Sequence, residues 1–389
     1  DTVTDAVGAE YVHYVYDSLN RLLSMEWNGL GGIGNYVYNQ VGNLLSKEEI
    51  QGENVSLIYP SAGQSRPHAV TAVTGSVTRA FAYDNNGNLI RSDNNTQQFA
   101  YEFDEENRVS KVIEFPAATR PTTGFRFTDT DGNWMIDLTD ALDALAGFGW
   151  APGPREFGLR DVNAGGDIDL TDVNANLAQF GAEAYGRVDR YAYDGSGTLL
   201  QRVSSSRASE NSNPVKVTTT YIGGIYERET TEAGTTTTTT VTKYYQGFGR
   251  TLAMKKSLTT GLPELVSQCD DTFDDDGDGL VNDGCMQYLL ADHLGTTTGA
   301  LGTGGTTLSM RRYWPYGGER WASGAPLPTD KRFTGQQQEF GDAALGLYNY
   351  GARFYSTTLG RFLSVDPIVG SAGDPQSWNA YTYVRNNPL

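Results

Sequence analysis

Apolar positions along this chain recur in a fixed phrase, not in the stripe of an amphipathic helix. From Tyr11 onward the phrase is an aromatic residue, an Asp or Asn, a polar pair, often Gly or Asn, and then an aliphatic pair. It reads YDSLNRLL at 16–23, YNQVGNLL at 38–45, YDNNGNLI at 83–90, FDEENRVS at 103–110 and YDGSGTLL at 193–200. Aromatic and aliphatic residues flanking a polar, glycine-rich centre predict two short strands joined by a turn. The first two copies begin 22 residues apart and the third and fourth 20 apart. A period near 20 predicts a repeat architecture with one strand–turn–strand unit per repeat. Asn86-Gly87 suits a tight hairpin turn with positive φ. Asp17, Asp84, Asp104 and Asp194 are placed to accept nearby backbone N–H groups and fix their turns.

The last sixty residues continue in the same style. RFTGQ (332–336), GLYNYGARFY (346–355), LGRFLSVDPI (359–368) and NAYTYVRNNPL (379–389) place aromatic and β-branched residues between Gly, Asn, Asp and Pro. Spacing alone predicts short strands and tight turns. Taken together, the four blocks resemble the C-terminal core of the RHS/YD-repeat family, and the five phrases resemble its YD repeats. RPHAVTAV (66–73), YIGGIYER (221–228), KYYQGFGRTLAMK (243–255) and YLLADHLGTT (288–297) resemble further family segments in the same order. The resemblance implies a mainly β fold: a spiralling antiparallel sheet that forms a shell, closed at one end by the core.

Composition agrees with short strands. The 23 Tyr outnumber the 15 Phe and 6 Trp combined, and Gly is abundant at 46. No apolar run approaches the roughly 18 residues a membrane span needs. Neither an initiator Met nor a signal peptide opens the chain, so it is expected to begin after processing or to be part of something longer. The net charge of −18 is concentrated in two places. Residues 127–185 hold eleven Asp/Glu against two Arg, and residues 269–285 hold seven Asp and no base. No basic stripe exists to neutralise phosphates, which excludes nucleic acid as an expected partner.

The first acidic stretch falls where the repeat spacing breaks, between Phe103 and Tyr193. It contains a duplication, DTDGNWMIDLTDALDALAGFG (129–149) against DVNAGGDIDLTDVNANLAQFG (161–181). Each copy is an acidic loop followed by apolar residues at helical spacing, such as Leu142, Leu145 and Phe148. Oxygen side chains in the first loop stand at positions one, three, five, nine and twelve: Asp129, Asp131, Asn133, Asp137 and Asp140. Met135 occupies position seven, where such a loop uses a backbone carbonyl. That stagger wraps oxygens around a hard cation such as Ca²⁺. The second loop offers Asp161, Asn163, Asp169 and Asp172, with Asp167 at position seven and Gly165 in place of a fifth ligand. The unit resembles a dockerin module, which implies a small helical, EF-hand-like insertion and a cohesin-like partner. Trp134 departs from the Gly that such a loop expects at its sharp turn.

The second stretch, CDDTFDDDGDGLVNDGC (269–285), alternates Asp274, Asp276 and Asp278 before Gly279. Leu280, Asn282 and Asp283 complete a candidate ligand set, and the pattern resembles thrombospondin-type-3 calcium loops. The only two cysteines, Cys269 and Cys285, bracket it. A disulfide between them would remove about 3 kcal/mol of unfolded-state entropy in the loop-closure account. Paired cysteines point to an oxidising, extracellular compartment. Between the acidic stretches, GTTTTTTV (234–241) is flanked by Tyr226 and Tyr244–Tyr245, and β-branching favours a hairpin there.

Five segments follow: repeat sheet at 1–126, dockerin-like insertion at 127–186, repeat sheet at 187–268, acidic loop at 269–287 and the RHS-type core at 288–389. Motifs for enzyme chemistry are few. The chain holds no P-loop, HExxH or G-x-S-x-G elbow. GTGG at 302–305 reads as a turn, and His293 reads as structural. The family resemblance alone implies a catalytic residue. RHS cores release a C-terminal cargo with two Asp-Pro elements, and Asp366-Pro367 matches the first. The second would lie just beyond Asn386-Asn387-Pro388, so the pair is incomplete in this sequence, and Asp374-Pro375 reads as a turn. The expected role is an extracellular, calcium-stabilised shell that encloses or presents a C-terminal cargo. Two alternatives stand beside it: an autoprotease, and a fibre subunit whose open β-edges join copies, with residues 11–23 pairing to a neighbouring molecule.

About two to three Ca²⁺ ions are expected. Chelation should lower the melting temperature, and Ca²⁺ should restore it where Mg²⁺ does so poorly, since Mg²⁺ demands a tighter octahedron. Asp131→Ala should cost more than Asn163→Ala, because the first loop has the fuller ligand set. Identical melting curves with chelator and with calcium would contradict the assignment.

Overall fold

The computed structural model describes residues 2–116, 186–260 and 285–389, apart from 6–9, 29–31, 50–51, 95–96, 208–211, 340–341, 369 and 372. The first strands are β1 (Thr2–Asp5), β2 (Glu10–Tyr16), β3 (Leu22–Trp27), β4 (Gly32–Tyr38), β5 (Leu44–Glu48) and β6 (Asn54–Ile58). Then come β7 (Ala72–Gly75), β8 (Arg79–Tyr83), β9 (Leu89–Asn94), β10 (Gln97–Phe103) and β11 (Val109–Pro116). β12 (Gly186–Tyr193), β13 (Leu199–Arg207), β14 (Val215–Ile222), β15 (Tyr226–Ala233), β16 (Thr236–Gly247) and β17 (Arg250–Thr260) follow. β18 (Cys285–Ala291), β19 (Thr297–Leu301), β20 (Thr307–Tyr313) and β21 (Glu319–Gly324) end this series. Every strand from β1 to β20 pairs antiparallel with the next in sequence, giving one 21-stranded meander, hereafter the wall. A separate four-stranded sheet holds β22 (Gln337–Glu339), β23 (Leu347–Asn349), β24 (Phe354–Ser356) and β25 (Arg361–Phe362).

The repeat phrase builds one turn again and again. In each, the Asp or Asn side chain accepts the backbone N–H groups two and four residues on. Asp17 holds Leu19 and Arg21 at 2.9 Å each, Asp104 holds Glu106 and Arg108 at 3.1 and 2.8 Å, and Asp194 holds Ser196 and Thr198 at 2.8 and 2.9 Å. Asn39 and Asp292 do the same. The fourth residue of each turn has positive φ: Asn20 (62°), Gly42 (79°), Gly87 (86°), Asn107 (60°), Gly197 (85°) and Gly295 (83°). The ladder slips by one residue just before each turn, as between Val15 and Tyr16 or Ala82 and Tyr83. This is a three-residue hairpin closed by a bulge, in which only one position is left-handed. Asn86 is therefore not left-handed as a two-residue turn would require, and Gly87 alone carries the positive φ.

The expected hairpin at the threonine run is present, with β15 and β16 paired from Tyr226↔Lys243 to Ala233↔Thr236. Residues 302–306 turn between β19 and β20 as expected. The pairing expected of residues 11–23 with a neighbouring molecule is not met, because β2 is occupied on one side by β1 and on the other by β3. Among the described residues, the strands paired on one side only within the wall are β1 and β21. Residues 117–185 and 261–284 lie outside the described residues, and with them the dockerin-like helices and nearly all of the acidic loop. β11 and β12 nevertheless pair directly across the first of these gaps, and β17 and β18 across the second. In a strict meander both connections leave the wall at the rim opposite the Asp turns.

Inward-facing side chains of the wall meet the C-terminal segment. Strand β6 alternates buried Val55 and Leu57 with exposed neighbours. Leu22, Met25, Leu44, Phe99, Tyr101 and Val112 of the wall share one hydrophobic cluster with Leu345, Leu347, Phe354, Leu359 and Leu363. The wall also curls back on itself. In the β20–β21 turn, Trp314, Pro315, Tyr316 and Gly317 are buried against the early strands. The Tyr316 ring lies tilted 5.3 Å from that of Tyr36 and its hydroxyl bonds Tyr38 at 2.7 Å, and the Arg320 guanidinium lies 4.1 Å over Trp27. This turn has the backbone bonds of the others, but Trp314 replaces the Asp. Trp314 puts an apolar ring against the early strands at the position where the other turns carry a side chain bonded to turn N–H groups.

Four basic side chains with carboxylate partners help tie the wall to the C-terminal core (residues 327–389). Lys47 of β5 donates to the Thr357 carbonyl at 2.9 Å and reaches Glu53 at 2.8 Å and Glu49 at 3.4 Å. Arg79 of β8 pairs with Asp342 at 3.1 Å, both side chains 0% exposed. Arg202 of β13 pairs with Glu339 at 3.2 Å. Lys331 reaches back from the core to the Gly224 carbonyl at 2.6 Å and to Glu227 of β15 at 3.8 Å. The rim turns add polar contacts: Asn379 and Asn386 donate to the Gly42 carbonyl at 3.0 and 3.1 Å, and Tyr381 to that of Gly87 at 2.7 Å.

Two glycine turns should therefore respond differently to one methyl group. At Gly87 a Cβ would sit 2.5 Å from Val365 Cγ2 and 2.7 Å from the Tyr381 hydroxyl, whereas at Gly42 nothing lies within 4 Å. Gly42→Ala should cost about 1 kcal/mol for its left-handed backbone alone. Gly87→Ala should cost clearly more, about 2–4 kcal/mol, because the core must shift as well. Equal losses in denaturant unfolding would contradict the docking of Tyr381 on this turn.

Candidate functional site at the wall–core contact

Inside the wall–core contact Glu49, Glu339 and Asp342 are buried. Lys47 serves both Glu49 and Glu53, which are 0% and 30% exposed. Glu53 is the closer and wetter partner and also accepts the Thr358 hydroxyl at 2.7 Å, so it takes the ionic contact. Burial then pushes Glu49 up to about 7, against the pull of Lys47. Glu339 is also pushed up to about 7 by burial, with Arg202 opposing and Asp189 reinforcing the shift. It accepts the Tyr191 hydroxyl at 3.1 Å as well as the Arg202 guanidinium. Burial raises Glu227 and Asp330 above the usual carboxylate range, opposed in the first by Lys331 and in the second by Arg202 and Arg332. A polar chamber of about 50 Å³ lies between β13–β17 and Pro328–Gln337. Arg202 Nε, Thr219 Oγ1 and Tyr221 Oη line it without a hydrogen-bond partner among the described residues. Its size and lining suit a few ordered waters.

Asp366, the residue singled out for catalysis, lies at the mouth of a cavity of about 640 Å³ in the core. One carboxylate oxygen bonds Arg353 at 2.7 Å and the other accepts the Ile368 N–H at 2.9 Å. Arg353 is stacked 3.8 Å from the Phe362 ring, and burial lowers its affinity for a proton despite Asp366. Asp374 is likewise ion-paired, with Arg385 at 2.7 Å, and caps the short 3-10 turn Pro375–Trp378 through the Gln376 N–H. Two carboxylates each held by an arginine offer acceptors and fixed positions; neither is set up here as a shared-proton pair. His293 is exposed at the tip of the β18–β19 turn, beside a second cavity of about 470 Å³ where β2 meets β19–β21. Tyr14, Arg312, Trp314 and Leu389 also line that cavity, and burial pushes the Tyr14 phenol up to about 12.

The proposed metal ligands of 129–172 and of 274–283 lie outside the described residues, as does Cys269. Cys285 begins β18. Among the described residues no group of three or more His, Cys, Asp or Glu could hold a metal ion, and no helix is long and apolar enough to cross a membrane. The wall–core ion pairs went unread in the sequence. A signal for three of them was present: Lys47, Arg79 and Arg202 sit within apolar strand phrases, as in LLSKE and LLQRV.

No family model matches the chain. It is 26% identical over 391 aligned residues to the toxin subunit YenC2 of Yersinia entomophaga, an alignment covering 97% of this chain and 33% of that protein. The toxin subunit YenC1 of the same organism is 24% identical over 74% of this chain. The tRNA nuclease WapA of Bacillus subtilis is 34% identical over 85 residues, 22% of this chain. Among solved structures, one of TcdB2–TccC3 covers 100% of this chain and 19% of its own at 18% identity and a TM-score of 0.42. The chain thus spans about a third of the length of the toxin subunits it resembles. Likeness to such subunits along nearly its whole length supports the RHS-repeat reading of the phrases and of the C-terminal blocks.

Proposed function

We propose that this chain is a wall-and-core portion of an RHS-type β-shell that works outside the cell as a subunit of a toxin-like assembly. In this reading it encloses or presents a cargo carried C-terminal to its core, and calcium in the two acidic segments stabilises it. The observation that carries the reading is the meander itself, in which 21 strands pair in chain order and close on their own C-terminal segment. The similarity to toxin subunits over most of the chain supports the same reading. Pro388 is buried, and Leu389 packs against the hydrophobic core beside the cavity at the overlap of early and late strands. Chain continuing from this position would start against protein, not in open solvent. A second reading, a subunit that joins others by strand addition, is favoured by β1 and β21, each paired on one side only among the described residues.

A protease site separates presentation within a shell from a free C-terminal tail. The same cleavage sequence would be fused after Leu389 or inserted at Gly304–Gly305, an exposed turn with nothing near either Cβ position. The shell reading expects the site after Leu389 to be cut roughly tenfold more slowly, since cleavage there needs local opening. Equal cleavage rates at the two places would contradict it.

A further inference from the structure

At three contacts between wall and core a base lies against a carboxylate that has a second acid nearby. Lys47 faces Glu49 and Glu53; Arg202 faces Glu339, with Asp189 behind it; and Lys331 faces Glu227, with Asp330 alongside. Asp189 has a base of its own, Arg187 at 2.9 Å, but adds its field to that of Glu339. The Arg79–Asp342 contact differs, with one acid on one base and the Ser92 hydroxyl completing it at 2.8 Å. A buried carboxylate whose base also lies in the field of a second acid ionises only at a cost, and the favourable state keeps a proton on it. We infer that the wall–core contact is a proton-held latch, tighter in mildly acidic surroundings and looser above neutrality.

The groups facing each latch glutamate are few. Around Glu49 stand Lys47, Glu53, Tyr36 of β4 and Tyr355 of the core. Around Glu339 stand Asp189, Tyr191 and Tyr193 of β12, Arg202 of β13 and Tyr221 of β14. Both tyrosines nearest the glutamates, Tyr36 and Tyr191, are held by burial well above their usual range and stay neutral throughout. Glu49 and Glu339 are pushed up to about 7 by burial, against 4.5 for the free side chain. An acid whose affinity for a proton is raised by folding contributes stability below its unfolded value. That stability is lost as pH rises through the folded value. The window therefore runs from about pH 5 to pH 8, and stability falls as pH rises through it. This sign is opposite to acid denaturation of paired surface carboxylates such as Asp17, which takes effect only at lower pH.

The test is denaturant unfolding of the full chain at pH 6 and pH 8, at fixed ionic strength and saturating calcium. Glu49→Gln and Glu339→Gln keep shape and remove the titration, and His13, His68 and His293 are common to all samples. The wild-type unfolding constant should rise about tenfold per latch glutamate between pH 6 and pH 8, hence about a hundredfold from the two. Each single variant should lose about tenfold of this rise, and the double variant all of it. Parallel pH dependence in wild type and double variant overturns the latch, as does a wild type more stable at pH 8. Should the double variant fail to fold, wild-type hydrogen exchange of the Tyr348–Phe362 amides, corrected for intrinsic rates, decides. Slower exchange at pH 6 than at pH 8 supports the latch, and equal or faster exchange overturns it.

Discussion

A charge taken out of water must find a partner, and the shape of this molecule follows from where those partners are. Arg79 and Asp342 have no exposed side-chain surface, and neither has Lys47. Stranding any one of them would cost several kcal/mol, far more than a surface ion pair contributes. Each can be buried only if the wall and the C-terminal segment arrive in one register. Apolar burial supplies most of the driving force, through the cluster that joins Leu22, Phe99 and Tyr101 to Leu347, Phe354 and Leu363. Hydrophobic contact is tolerant of sliding, however, and the ion pairs at β5, β8 and β13 are not.

The wall is uniform because one turn serves it throughout. An Asp or Asn side chain satisfies two turn N–H groups, and a Gly or Asn adopts the left-handed conformation that completes the bulge. The turn leaves the flanking aromatic residue and the first of the aliphatic pair on the inner face, where neighbouring strands pack them. The exceptions carry information. Trp314 takes the Asp position in the turn that is buried, and Tyr381 and Asn386 dock on the carbonyls of Gly87 and Gly42. The same rim that repeats the motif is thus the surface on which the core seats. The opposite rim emits both acidic connections, at Pro116–Gly186 and Thr260–Cys285.

Much of the wall was legible because its information is local. Asp17, Asp104 and Asp194 announce their turns within five residues, and the threonine run announces β16 by its β-branching. The meander order itself was less visible, since nothing in a phrase says that its strand will pair with the next one through all 21. The core was legible as strands but not as an occupant of the wall. Lys47 and Thr357, or Arg79 and Asp342, lie hundreds of residues apart, and no spacing rule links them. Asp366 was legible by its motif alone. Its Asp-Pro context drew attention to catalysis, while its geometry is a salt bridge to Arg353 and a bond to the Ile368 N–H. The acidic segments carried the strongest local pattern in the chain.

Buried charge should lock wall and core into one cooperative unit. A double-mutant cycle on Arg79→Met and Asp342→Leu addresses that directly. The account predicts a loss of about 3–5 kcal/mol for each single variant, which leaves a buried charge alone, and recovery of most of it in the double variant. Losses below about 1 kcal/mol that simply add would mean that water reaches both groups, and that the core is not held inside the wall as described.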